Sequence, residues 1–248
     1  MNNFKNKNVL ITGSSKGIGR ATALLFAKQG ANVIINYLHS AQEAKSLENE
    51  LMKLGSKSIT IMCDISNEDQ VKEMFSLIEK KYKKIDVLVN NAAFVKDVPI
   101  LERSVEDWKR TLDVNLLGYY LCTKYAAKIM LNNSEGGTII NIASTSAHYS
   151  FSPDIVDYDV SKAGVIVLTK DFAKALAPKV RVNAVSPGWV NTDINKNLSI
   201  EFKESEKSNI FLKRFAEPEE IGNIILFLAG DDSSFINGSV LVADGGHD

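Results

Sequence analysis

Tyr158 and Lys162 stand four residues apart in a stretch that reads as a helix, so both side chains project from one face, a turn apart. A free phenol titrates near 10, leaving about one molecule in a thousand ionised at pH 7. An ammonium beside it favours the phenolate and draws that value toward working pH, which would make a general acid/base. The spacing alone equally suits two surface side chains. A second constellation, Thr12-Gly13-Ser14-Ser15-Lys16-Gly17-Ile18-Gly19, lies between a short apolar run and a helix beginning near Arg20. Gly13 permits a tight turn, Gly17 lets the backbone approach a pyrophosphate, and Gly19 permits close helix–strand contact. Phosphates there would rest on the positive end of the helix dipole. Glycines in such a cluster also mark plain turns. His39, His148 and His247 are scattered without ligand spacing, so no metal is expected; His148 reads as a loop histidine.

Residues this far apart in sequence need a scaffold. The 248 residues are 45% hydrophobic and 24% charged, a profile of ordinary globular proteins. Lys plus Arg is 29 against 30 for Asp plus Glu, which argues against nucleic acid or membrane as the main partner. Cys63 and Cys122 form no cluster, so a disulfide framework and a structural zinc site are not expected and a reducing compartment suits the chain. No apolar run reaches membrane-span length and the polar start, Met1 to Asn8, does not read as a signal peptide, so the expected location is cytoplasmic.

Seven β-branched runs begin at Val9, Val33, Ile59, Val87, Thr138, Val182 and Val240. The first few are apolar throughout, as strands covered on both faces by helices should be. Ser40/Glu43, Ser66/Asp69 and Ser104/Asp107 each place a hydroxyl three residues before an acid, and Pro218 precedes two glutamates; all four read as helix starts. The alternation predicts one α/β domain over 1–248, a single-domain Rossmann fold with a doubly wound, seven-stranded parallel sheet and helices on both faces. The polar stretch 191–214 carries no strand signal and reads as a mobile substrate lid.

The glycine spacing, Gly-x-x-x-Gly-x-Gly, departs from the commoner Gly-x-Gly-x-x-Gly, and here the chain resembles the short-chain dehydrogenase/reductase family. The resemblance spans nearly the whole sequence: Thr12 to Gly19, Asp64, Asn90-Asn91-Ala92-Ala93, Asn115, Ser144, Tyr158 to Lys162, Pro187-Gly188 and Asp244-Gly245-Gly246. Ala93 replaces the glycine usual in its motif. The resemblance implies that a nicotinamide hydride moves to a carbonyl carbon while Tyr158 protonates the oxygen, with oxidation as the reverse. It implies further that Ser144, with Thr145 and Ser146 as rivals, hydrogen-bonds the carbonyl oxygen. Asn115 would hold a water linking Lys162 to solvent, and Lys162 would also hold the nicotinamide ribose. Gly13, Ser15, Lys16, Gly17, Ile18 and Gly19 would cradle the cofactor phosphates. Asp64 and Ile65 would flank the adenine, and Asn90 and Ala92 the ribose. Pro187, Gly188 and Val190 would shape the nicotinamide pocket, with Thr192 near the carboxamide or phosphates.

Tyr37 stands where NAD-using relatives carry Asp, no acid precedes Glu43, and Lys16 can offer charge to a 2′-phosphate. NADP(H) is therefore expected in preference to NAD(H). The loop 148–157, with Tyr149, Phe151 and Ile155, offers a moderately apolar substrate wall. The expected substrate is a small carbonyl or alcohol, carrier-protein-linked if it is a 3-oxoacyl thioester; the alternative is a sugar of the glucose type. A non-catalytic NADP(H) sensor or scaffold is the different-class alternative, against which the four chemical residues count. A short C-terminal region after Gly188 disfavours an epimerase or dehydratase. Apolar stripes on the helices 104–133 and 157–177 suggest pairing into a homotetramer or homodimer.

Overall fold

The computed structural model describes residues 4–196 and 198–247; residues 1–3 of the polar start lie outside them. Strands Asn8–Ile11 (β1), Asn32–Tyr37 (β2), Ile59–Met62 (β3), Val87–Asn90 (β4), Gly137–Ile142 (β5), Val180–Pro187 (β6) and Val240–Ala243 (β7) form one sheet. Their order is β3-β2-β1-β4-β5-β6-β7, and every pairing is parallel. Alternation along each strand feeds two cores. Leu10, Ile34, Leu88 and Ile139 pack on one face, and Val9, Ile11, Val33, Val89 and Ile140 on the other. β1, β2 and β4 are therefore apolar at consecutive positions, the signature that marks them as doubly covered.

Helices Gly17–Lys28 (α1), Ala41–Lys53 (α2) and Pro218–Ala229 (α8) cover the second face; Glu68–Tyr82 (α3), Gly118–Met130 (α5) and Val156–Leu176 (α6) cover the first. Helix Val105–Leu112 (α4) continues through a π-helical turn, Asp113–Leu117, into α5. The winding reverses between β1 and β4, so the carboxyl ends of those strands open a crevice where ligands bind in such sheets.

The helix starts are partly as expected. Ser104 Oγ accepts the Asp107 N–H at 3.0 Å, and Pro218 opens α8 beneath a reciprocal Glu217/Glu220 cap. Two assignments need correction. Asn67, not Ser66, caps α3, accepting from Asp69 and Gln70 N–H at 3.1 Å each, because the Ser66 hydroxyl is drawn to Asp64 at 2.6 Å. Ser40 precedes α2 but makes no side-chain cap; its supposed partner Glu43 pairs with Lys16 instead. The stretch 191–214 is also less plain than its polarity suggested, since it holds the helix Ile200–Asn209 (α7). Ser199 caps that helix through the Phe202 N–H at 3.1 Å, a start signal set among residues with almost no apolar periodicity.

A buried ion pair ties the crevice walls together. Arg103 reaches Asp157 Oδ2 at 3.1 Å with side chains only 3% and 1% exposed. The same guanidinium donates to the carbonyls of Lys96, Val98 and Asp154. Asp157 in turn accepts from Thr111 Oγ1 at 2.6 Å and from the Tyr158 N–H at 3.0 Å. Loop 94–103, α4 and the start of α6 are thereby one unit.

Candidate active site

Gly13 closes the turn after β1 with a positive φ of 60°, and a Cβ there would lie 2.8 Å from Ala92 Cα. This position is fixed by packing of two loops, one after β1 and one after β4. Gly17 also has positive φ, 55°, yet a Cβ there would meet only Thr192, 3.3 Å away. Its backbone faces the gap between the loop and residue 192, open to a ligand's close approach. A side chain would fill that cradle, so the residues fit a dinucleotide lying across the crevice. The buried Ser14 hydroxyl has no protein partner, which fits a loop shaped for a ligand. Ser15 is buried, and Ile18 packs against the core beneath the loop.

Lys16 and Glu43 form an exposed ion pair at 2.8 Å, which holds the Glu43 carboxyl below its usual range. The lysine is thus not a free cation, and Glu43 is an acid at the adenosine end that sequence distance concealed. Tyr37 ends β2 half-buried. Asp64 accepts from Ser66 and from Arg110 at 3.2 Å, contacts that outweigh burial and keep its carboxyl ionised. Ile65 is buried against Gly118, where a Cβ would lie 2.7 Å from its Cδ1.

Two of the expected cofactor residues turn their side chains inward. Asn90 is fully buried, its amide donating to Thr123 at 3.0 Å and Asn141 at 2.8 Å, which leaves its main chain and an unpartnered Oδ1 for a ribose. Val190 is buried against the core and bridges to Ala216, which leaves its main chain for a pocket. Pro187 ends β6, and Gly188 lies against Asp244, where a Cβ would come within 2.8 Å of its Cβ.

At the carboxyl end of β5, Ser144 starts a 3₁₀ turn and accepts the Ser146 N–H at 3.1 Å. Its hydroxyl neighbours the Tyr158 phenol, whose proton affinity it lowers. The rivals Thr145 and Ser146 are both buried within that turn. Asn115, in the π-helical turn, spends its amide on Phe94: it accepts the N–H at 2.7 Å and donates to the carbonyl at 2.9 Å. A further bond runs to Ser161 Oγ at 3.1 Å, which itself donates to the Tyr158 carbonyl at 2.7 Å. The Asn115 side chain therefore braces the turn behind Tyr158, a role compatible with holding a water through its main chain.

The expected pull of Lys162 on the Tyr158 phenol also needs correction. Lys162 Nζ donates to the Ile142 carbonyl at 2.7 Å and lies 5.5 Å from the Tyr158 ring centroid. Burial dominates both groups. It raises Tyr158 to about 12, opposed by the neighbouring Ser144 hydroxyl, and lowers Lys162 to about 7. Tyr158 thus holds its proton across the physiological range.

This has a measurable consequence for stability. Between about 7 and the ordinary lysine value of 10.5, the unfolded chain binds a proton at Lys162 that the folded chain does not, so this group makes stability rise with pH. Its cost is present in full below pH 7. At 1.36 kcal/mol per pH unit, the ceiling is about 5 kcal/mol. Lys162→Met should therefore melt above wild type at pH 6.5, with the gap narrowing by pH 9.5. Thermal melts of the cofactor-free proteins check this; a gap independent of pH would show that the amine is not desolvated.

On the substrate side, the wall is more polar than its sequence implied. Tyr149 donates its hydroxyl to Asp244, and His148 Nε2 pairs with Ser186 Oγ at 2.9 Å, while Phe151 is exposed. No cluster of metal-ligating side chains occurs among the described residues, and no helix among them is long and apolar enough to cross a membrane. Sequence reading passed over Arg103 and Tyr119, both discussed below. Arg103 sits in a charged loop without motif, and Tyr119 reads as one more apolar residue of α5.

Comparison with known proteins agrees with this arrangement. The family model described as enoyl-(acyl carrier protein) reductase covers residues 13–248. The 3-oxoacyl-[acyl-carrier-protein] reductase FabG of Thermotoga maritima is 40% identical over 244 residues, 98% of each chain. A putative gluconate dehydrogenase from Agrobacterium tumefaciens superposes with a TM-score of 0.94 at 30% identity, covering 98% of this chain and 96% of that one. A short-chain dehydrogenase from Burkholderia cenocepacia, solved in complex with NADP, gives 0.93 at 29% identity and 99% coverage of both. A doubly wound sheet, a glycine turn at its switch point and a Ser-Tyr-Lys cluster at the end of β5, together with these full-length likenesses, place the chain in the short-chain dehydrogenase/reductase family of NAD(P)-dependent oxidoreductases.

Proposed function

We propose that the chain is an NADPH-dependent carbonyl reductase acting on 3-oxoacyl thioesters. The observation that carries this is the convergence of Ser144, at the carboxyl end of β5, on the buried Tyr158 phenol of α6, with Lys162 one helical turn behind it. When bound, the reduced nicotinamide supplies a hydride to the substrate carbonyl carbon. Ser144 and Tyr158 both donate hydrogen bonds to the carbonyl oxygen as charge grows there, and Tyr158 gives up its proton to it. A phenol near 12 arrives loaded, which suits the reductive direction. Lys162, one turn behind it, would hold the ribose. Gly17 and Thr192 would hold the phosphates, and Pro187 and Gly188 the nicotinamide.

The Tyr37 position, without an acid, supports NADP(H) over NAD(H), and the relative solved with NADP supports the same choice. For the 2′-phosphate to use Lys16, the exposed Glu43 must share it. The Thermotoga relative's name supports the acyl-thioester substrate, with the segment 191–214 as a lid and an acyl carrier as delivering partner. The second reading is a sugar of the glucose type or another alcohol, favoured by the Tyr149–Asp244 and His148–Ser186 pairs, which would greet hydroxyls rather than an acyl chain. Exposed Tyr120, Val160 and Val167 on α5 and α6 support pairing of copies through those helices.

One panel tests the substrate claim: acetoacetyl thioesters with NADPH and NADH, and aldoses with NADP⁺ and NAD⁺. Turnover of the thioester with NADPH, at a kcat/KM at least tenfold above any aldose, is expected. The reverse order establishes the sugar reading.

A further inference from the structure

The Lys162 ammonium is held by a second tyrosine that the reaction does not require. Tyr119, at the second residue of α5, is wholly buried. Its hydroxyl lies 3.4 Å from Lys162 Nζ and donates to the Ile142 carbonyl at 3.4 Å. Lys162 bonds that same carbonyl, so amine, phenol and carbonyl close a triangle. The ammonium lies 5.1 Å from the Tyr119 ring centroid and 5.5 Å from that of Tyr158, between two aromatic faces.

We infer that Tyr119 is a positioning residue for Lys162, anchoring its ammonium at the foot of α6 so that one N–H stays free toward the crevice. Resting on the reading that Tyr158 and Lys162 form the active pair, this assigns a role to a residue outside that pair. The physical need is evident: a four-carbon side chain with free rotation places its charge poorly unless something holds the end. An ammonium has three donors; the Ile142 carbonyl and the Tyr119 hydroxyl occupy two. Burial drives Tyr119 well above the usual phenol range, so it serves as a neutral acceptor and never as a rival base. Its own seat is fixed, because the preceding Gly118 packs on Ile65 too closely to admit a side chain.

The groups around this amine are few. Tyr158 faces it from α6 and Tyr119 from α5, with the Cys122 thiol on the far side of Tyr119. From β5 comes only the Ile142 carbonyl, and Asp159 acts on Tyr158. Removing the Tyr119 hydroxyl takes an acceptor from the ammonium and must lower its proton affinity.

Tyr119→Phe keeps the ring and deletes only that hydroxyl. In cofactor-free protein, the pH at which thermal stability begins to rise should move down by about half to one unit. In turnover, the alkaline limb of the reductive kcat/KM profile should move down equally, and the KM for NADPH should rise about fivefold, the scale of one hydrogen bond, with kcat changing less. Tyr119→Met, lacking the ring as well, should exceed both shifts. Stability and rate profiles superimposing on wild type, with only a lower melting temperature, would reduce Tyr119 to core filling and overturn the inference. A Tyr158→Phe enzyme that turns over normally would instead defeat the underlying reading, while the cofactor-free melts still decide on Tyr119.

Discussion

Tyr158→Phe should lose about 10²–10⁴-fold in kcat, the range typical of a positioned general acid, and bind NADPH almost as wild type does. The ring still fills its place on α6, its main chain still held by Asp157 through the N–H and by Ser161 through the carbonyl. What disappears is the phenolic proton facing Ser144 at the crevice mouth. The loss should fall on kcat and kcat/KM together, because the proton is needed only in the transition state. Stopped-flow NADPH oxidation with fluorescence titration of cofactor binding separates the two quantities. Equal turnover in wild type and variant would remove Tyr158 from the chemistry.

Much of the scaffold was legible because its signals are local. Val9-Leu10-Ile11 and Val87-Leu88-Val89 have no polar side, and only a strand covered twice can be that apolar. The glycine turn was equally readable, since Gly13 and Gly17 need backbone angles that other residues rarely adopt. Ser144 and Tyr158 come together because α6 returns beside the end of β5. What sequence order could not disclose is partnership across distance. Glu43 lies far from Lys16 in sequence yet takes its charge, and Ser66 gives up its cap because Asp64 is nearer. The Tyr158–Lys162 spacing was read as charge acting on phenol. The fold instead buries both and points the amine at Ile142, so desolvation decides. Asn90 and Val190 sit in recognisable motifs but turn their side chains into the core.

The geometry also ranks the chain's many ion pairs. Lys16–Glu43 is exposed on both sides, and charges so placed are well screened; cutting it with Lys16→Ala should leave the melting temperature unchanged while weakening any grip on a 2′-phosphate.

Arg103→Met should be far more damaging to folding, by about 3–5 kcal/mol, because it strands the Asp157 carboxylate in the interior. Asp157 would keep only Thr111 and the Tyr158 N–H, and the carbonyls of Lys96, Val98 and Asp154 would lose their shared donor. At roughly 2–4 °C per kcal/mol for a chain this long, the melting temperature should fall by about 6–20 °C. Removing both charges, as Arg103→Met with Asp157→Asn, should restore more than half of the loss, since a neutral amide can stay buried beside Thr111. A double variant as unstable as the single one would locate the cost in the three carbonyls, not the stranded charge. The pair's place explains why its loss should reach the chemistry as well. Asp157 precedes Tyr158 and holds its N–H, while Arg103 fastens that turn to the loop following β4, so loosening the clasp frees the acid from the wall it must face.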